Sequence, residues 1–142
     1  MTLTRMTPML HVSDIERSLA FYRDGLGFAL ISPESAVRDW KWAHLRCDGV
    51  YLMLSGGLQG GPIRSGESKT GDWPAIYYFY PDDVVALHGT MRARGIEVGE
   101  LCVTFYRMKE FSCLDPDGHM LTFGQDTDEP PTPEDESPVR GS

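Results

Sequence analysis

A chain of 142 residues, 41% hydrophobic and 11% aromatic, is long enough to bury a core without disulfides or a structural metal. Its formal net charge of −8 sits mostly in residues 126–142, which hold six acids against one Arg, so residues 1–125 carry about −3. That mild acidity argues against nucleic acid as a partner, and no apolar run nears the ~20 residues of a membrane-spanning helix. No charged-then-apolar leader opens the chain. Cys47, Cys102 and Cys113 are odd in number and lack C-x-x-C spacing. They are expected to be reduced, mostly buried thiols in a cytoplasmic protein.

In chain order, residues 6–12 form a short apolar run suited to a first strand. Pro8 supplies no ladder donor, which favours an edge position. Ser13 or Asp14 then caps a helix in which Ile15, Leu19, Tyr22 and Leu26 recur at helical spacing, and Gly27 ends it. Phe28 to Ser32 reads as a strand, and Pro33-Glu34-Ser35 as a turn. Asp39 to Arg46 and Val50 to Ser55 alternate like two further strands, separated by Cys47-Asp48-Gly49.

Residues 56–72 hold six Gly without periodicity, a connection long enough to be either functional or a linker. The pattern then restarts. Ala75 to Tyr80 is a strand, a helix runs from Pro81 to about Arg94, and Gly95 closes it. Strands near Val98 to Val103, Tyr106 to Leu114 and Met120 to Gln125 follow. Asp14 and Gly27 correspond to Asp83 and Gly95, 69 and 68 residues further on, so the order β-α-β-β-β occurs twice. Residues 127–142, rich in Pro and acids, are expected to form a disordered tail that buries little.

The last two strands meet at Asp115-Pro116-Asp117-Gly118, a sequence with a ready turn mechanism: Pro presets φ, Asp bonds nearby backbone and Gly accepts φ > 0. Glu110-Phe111-Ser112-Cys113-Leu114-Asp115-Pro116-Asp117-Gly118-His119 resembles the closing signature of the vicinal oxygen chelate superfamily. Leu10-His11-Val12-Ser13-Asp14, Ser18-Leu19-Ala20-Phe21-Tyr22-Arg23-Asp24 and Leu26-Gly27-Phe28 are similar to its opening. That superfamily contains glyoxalase I, extradiol dioxygenases, fosfomycin-resistance enzymes and the bleomycin-resistance proteins.

The resemblance implies an α+β fold: two βαβββ modules, about 5–56 and 73–126 in one domain, whose curled mixed sheets enclose a cavity with helices on the outer face. It also sets the positions of a divalent metal's ligands at Thr7, Met53, Ile76 and Thr122, none a usual metal-binding type. The chain is therefore most similar to the metal-free bleomycin-resistance branch, which sequesters a drug. Lys109-Glu110-Phe111 and Pro8-Met9-Leu10 fit that branch. No cofactor is expected, and the resemblance implies a homodimer.

Period-2 alternation sorts the side chains that would face a ligand. Thr7, Met9 and His11 belong to that set, as do Tyr51, Met53 and Ser55. Ile76, Tyr78 and Tyr80 join them, with Met108, Glu110, Ser112, Met120, Thr122 and Gly124. A Met and aromatic lining with few polar groups suits a small-molecule site, but the same stripe is also what an ordinary core looks like. Trp40 and Trp42 are read as sharing one face of the third strand, and Trp73 as lying at the end of the long loop. Indole faces stack on flat ligands or cations, and equally serve edge packing or dimer contacts. His11 and Glu110 are the inward candidates for proton transfer. His44 and His88 read as surface or packing residues, and His119 as exposed.

The function this favours is a non-enzymatic binder of a partly aromatic molecule such as a bleomycin-class antibiotic, with Glu110 pairing a ligand cation. The alternative is a metal-dependent lyase or dioxygenase with a shifted ligand set that includes His11 and Glu110.

Overall fold

The computed structural model describes residues 1–56 and 75–133; Trp73, most of the Gly-rich connection and the last nine residues lie outside them. The fold is α+β, and the backbone divides into two compact units, Met1–Ser65 and Gly66–Ser142. Each unit holds one mixed four-stranded sheet, and neither sheet closes on itself.

In the first unit, β1 (Met9–His11) leads into α1 (Ile15–Ala20), continued by a π turn over Phe21–Gly25. Asp14 caps α1, its carboxylate accepting from the Arg17 N–H at 3.1 Å. The chain leaves the helix through Gly27 at φ 87°, a left-handed conformation that glycine adopts without strain. There follow β2 (Ala29–Leu30), α2 (Glu34–Trp40), β3 (Trp42–Cys47) and β4 (Val50–Ser55), in the sheet order β1-β4-β3-β2. β1 runs parallel to β4 at the sheet edge, and the Pro8 carbonyl accepts from the Met53 N–H at 2.9 Å. Pro8 thus contributes its acceptor where it has no donor to give.

Leu10, Val12, Ala43, Leu45, Leu52 and Leu54, all at most 1% exposed, form the core face on which α1 packs. Full burial of an aliphatic side chain contributes about 1.5–3 kcal/mol, so this layer dominates the unit's stability.

The stretch expected as a strand from Asp39 is helical up to Trp40. Pro33 opens α2, Glu34 favours its N-terminal dipole, and Val37 is buried against β3. Lys41 then takes φ 50° and turns the chain into β3. Trp40 therefore ends a helix, 70% exposed, and shares no strand face with Trp42.

The second unit runs β5 (Ile76–Phe79), α3 (Val84–Ala93), β6 (Cys102–Val103), β7 (Met108–Leu114) and β8 (Met120–Asp126), in the order β5-β8-β7-β6. Asp83 caps α3 as Asp14 caps α1, and Gly95 at φ 83° exits as Gly27 does. Phe79, Phe123 and Phe111 stack across three strands with centroids 5.1 Å apart on the face that meets α3. His88 of α3 packs its ring edge on Phe111 and bonds the Gly99 carbonyl through Nε2.

The expected strand from Val98 shrinks to Cys102–Val103. Upstream of it, Gly99 donates to the Ser112 carbonyl so closely that a Cβ there would lie 3.2 Å from that oxygen.

Residues 127–133, expected in the free tail, are hydrogen-bonded to the sheet. The Thr132 N–H donates to the Val103 carbonyl, and the Val103 N–H donates to the Thr132 hydroxyl. Glu129 pairs with Lys109 at 2.9 Å. His119, expected to be exposed, is buried. Its N–H and that of Asp117 both bond Asp115 Oδ1, so the carboxylate that shapes the turn also draws His119 in beside Tyr77.

Candidate functional site

Each sheet has a face turned away from its helix, and both carry the side chains that alternation selects. In the second unit, Glu110 of β7 stands opposite Gly124 of β8, and Ser112 opposite Thr122. Tyr78 of β5 stands level with Thr122 on the far side of β8. From there its hydroxyl crosses β8 and donates to Glu110 Oε2 at 2.7 Å. Tyr106, in the turn before β7, donates to Oε1 of the same carboxylate at 2.9 Å.

Gly124 makes this crossing possible, because a Cβ at that position would collide with the Tyr78 hydroxyl. Ser112 and Thr122 share a hydrogen bond of 2.8 Å beside it. Burying a carboxyl group is costly unless hydrogen bonds replace its water. Glu110 is only 3% exposed, and each of its oxygens already accepts from a phenol. It is a satisfied group, and this differs from its expected role as an open partner for a ligand cation.

The open face of the first unit is built differently. Register puts Met9, Met53 and His44 in one row across three strands, and His11, Ser55 and Trp42 in the next. Tyr51 lies opposite Arg46. The Tyr51 ring carries the Arg5 guanidinium 4.6 Å from its centroid and the Arg46 guanidinium at 5.7 Å. The His44 ring lies 5.9 Å from Tyr51 and 6.0 Å from Trp42. His44 Nε2 is buried without a hydrogen-bond partner. Its backbone, by contrast, is fully engaged: the N–H donates to Ser32 Oγ and the carbonyl accepts from Ile31.

Of the residues singled out from sequence, Met9, His11, Trp42, Tyr51 and Met53 share the first sheet's open face, with Thr7 just before β1. Ile76, Tyr78, Met108, Glu110, Ser112 and Thr122 share that of the second. Trp40 leaves the set, and Trp73 is outside the described residues. Sequence reasoning passed over Arg5, His44, Arg46 and Tyr106. His44 and Arg46 carried a usable signal, since they alternate with Trp42 along one strand.

The side chains at the family's metal positions do not fit a divalent ion. Thr122 is fully buried with its hydroxyl bonded to Ser112, while Met53 and Ile76 offer no hard donor. Among the described residues, no group of three or more His, Cys, Asp or Glu stands together. Two of the thiols are made less reactive: burial and the Asp115 carboxylate push Cys113 up to about 12, and burial followed by Asp48 raises Cys47.

Residues 5–123 match the model of the Glyoxalase/Bleomycin resistance protein/Dioxygenase superfamily. No curated protein matches the chain. Among solved structures, TnmS3, an antibiotic binding protein from Streptomyces sp. CB03234, is 23% identical with a TM-score of 0.70, covering 89% of this chain and 99% of its own. SMU.1112c is 25% identical with a TM-score of 0.69, over 86% and 98%. A lactoylglutathione lyase from Agrobacterium tumefaciens is 19% identical with a TM-score of 0.65, over 86% and 92%.

Proposed function

The chain belongs to the Glyoxalase/Bleomycin resistance protein/Dioxygenase superfamily, and from that premise we propose that it is a metal-free binding protein that sequesters a partly aromatic small molecule. The observation that carries this reading is the chemistry at the family's metal positions, Thr7, Met53, Ile76 and Thr122, set among Met and aromatic side chains. Antibiotic binding by the similarly folded TnmS3 supports the same direction, and a bleomycin-class antibiotic is the first ligand to try. The ligand stacks on aromatic faces such as Trp42 and Tyr51 of the first unit, and the adaptable Met9 and Met53 fill irregular gaps. The protein works as a cytoplasmic homodimer, in keeping with three cysteines that lack C-x-x-C spacing and with the edge strands β1 and β5.

Titration calorimetry with bleomycin, tryptophan fluorescence and survival of expressing cells test the reading together. Saturable quenching without product is the expected result. Absence of binding at millimolar bleomycin removes that drug as the ligand. Turnover that depends on His11 or Glu110, with one tightly bound metal per chain, would replace the binder by a metal-dependent lyase or dioxygenase. Light scattering that gives a monomer at micromolar concentration would remove the dimer.

A further inference from the structure

The open face of the first sheet has an electrostatic character that the second lacks. Tyr51 is its hub, approached by the guanidinium groups of Arg5 and Arg46 and by the His44 ring. The strand residues that face this side include two His and one Arg but no Asp or Glu. His44 Nε2 is the one buried side-chain nitrogen or oxygen among the described residues without a hydrogen-bond partner. Buried polar atoms are nearly always paired, and one that is not marks a place where something else completes it. The His44 backbone is held by Ser32 and Ile31, and Trp42 and Tyr51 flank its ring.

The geometry points to this face as the recognition site for an aromatic group that bears an acidic oxygen, an aryl carboxylate or phenolate. Its ring lies against Trp42 and Tyr51. Its oxygen accepts from His44 Nε2, and the Arg5 and Arg46 guanidinium groups supply the balancing charge. A ligand cation meets two positive charges here. On the other sheet both Glu110 oxygens are taken by tyrosines, which leaves Asp126 at the end of β8 as the acid open to a cation there. Arg5 sits on the exposed stretch before β1 and lies over the Tyr51 ring, so it can shift from the ring to the ligand's oxygen at little cost. This assignment rests on the binding reading above and gives it a ligand class.

The test uses the full chain and three probes with one ring system: 2-naphthoate, 2-naphthamide and 2-naphthylmethylammonium, followed by tryptophan fluorescence and calorimetry. Naphthoate is expected to bind about 10-fold or more tighter than the other two, as a charge-assisted hydrogen bond supplies. Raising salt should weaken naphthoate alone. His44→Leu and Arg46→Met should each erase most of the preference for naphthoate over naphthamide. His44→Gln, which keeps a side-chain donor, should recover part of it, and circular dichroism checks that each variant folds. Equal binding of the three probes, tightest binding of the ammonium, or a naphthoate preference untouched by both substitutions overturns the ligand class but leaves small-molecule binding standing. Failure of naphthoate to bind at millimolar concentration also overturns it, and the bleomycin titration then reports separately on the wider reading.

Discussion

The two open faces share a topology and differ in how their polar atoms are treated. In the second unit the polar side chains answer one another: Tyr78 and Tyr106 converge on Glu110, and Ser112 bonds Thr122. In the first, two guanidinium groups rest on a ring and an imidazole nitrogen is left unanswered. A satisfied network makes a face rigid and specifies its geometry. An unsatisfied one costs stability until something binds. The two copies of the module thus carry open faces of different kinds, one internally satisfied and the other not.

The largest effect that would break this contrast is expected at Gly124. Gly124→Ala should push Tyr78 off Glu110 and cost about 3 kcal/mol, the sum of overpacking and a lost hydrogen bond to a buried carboxyl. Urea denaturation measures it, and a loss under about 1 kcal/mol would mean that Tyr78 has another route to the carboxylate. Tyr78→Phe removes the bond without the collision and should cost about 2 kcal/mol. With Tyr106→Phe it closes a double-mutant cycle that reports whether the two phenols act as a unit.

In the first unit the sign should reverse. His44→Leu replaces an unpartnered buried nitrogen with apolar volume, so stability should hold or rise by about 1 kcal/mol while ligand affinity falls. A marked destabilisation would show that the His44 ring is already satisfied, and the contrast between the faces would collapse.

Smaller effects test the ends of the second unit. A chain stopped after Asp126 loses both Thr132–Val103 bonds and should be about 1–2 kcal/mol less stable than one stopped after Pro133. The smallest effect is electrostatic. The hydrogen bond from Lys109 holds the Glu129 carboxyl below its ordinary value. A depressed carboxyl stabilises the fold above its unfolded value, and the contribution is lost as pH falls through the folded one. Glu129→Gln should therefore lower the melting temperature slightly at neutral pH and flatten its decline on the acid side.

What the sequence made legible was what depends on local rules. The cap at Ser13 or Asp14, the exits at Gly27 and Gly95 and the turn at Asp115-Pro116-Asp117-Gly118 are set by residues a few positions apart, and the structure has them, whereas the second helix begins at Val84 with Asp83 as its cap and not at Pro81. Period-2 alternation likewise put Glu110, Ser112 and Thr122 on one face, as the register does.

The misses were non-local or came from competing periods. Trp40 lies near the start of the stretch from Asp39 to Arg46 whose alternation reads as a strand, but Val37 packs on β3 and the helix carries on through Trp40. Glu110 could be read as inward, whereas its two tyrosine partners come from another strand and from a turn, which no spacing rule reveals. His44 was undervalued for the converse reason, because the lack of a partner shows only after every neighbour has been placed.

The Thr132–Val103 contact has one more consequence. β6 is the outer strand of its sheet, and the outward N–H and carbonyl of Val103 would otherwise offer a template to any passing strand. The chain occupies that template with its own segment. Proteolytic clipping between Asp126 and Thr132 would leave a free sheet edge beside exposed Phe105 and half-exposed Tyr106. Self-association of clipped molecules, rising with concentration, would be the visible result.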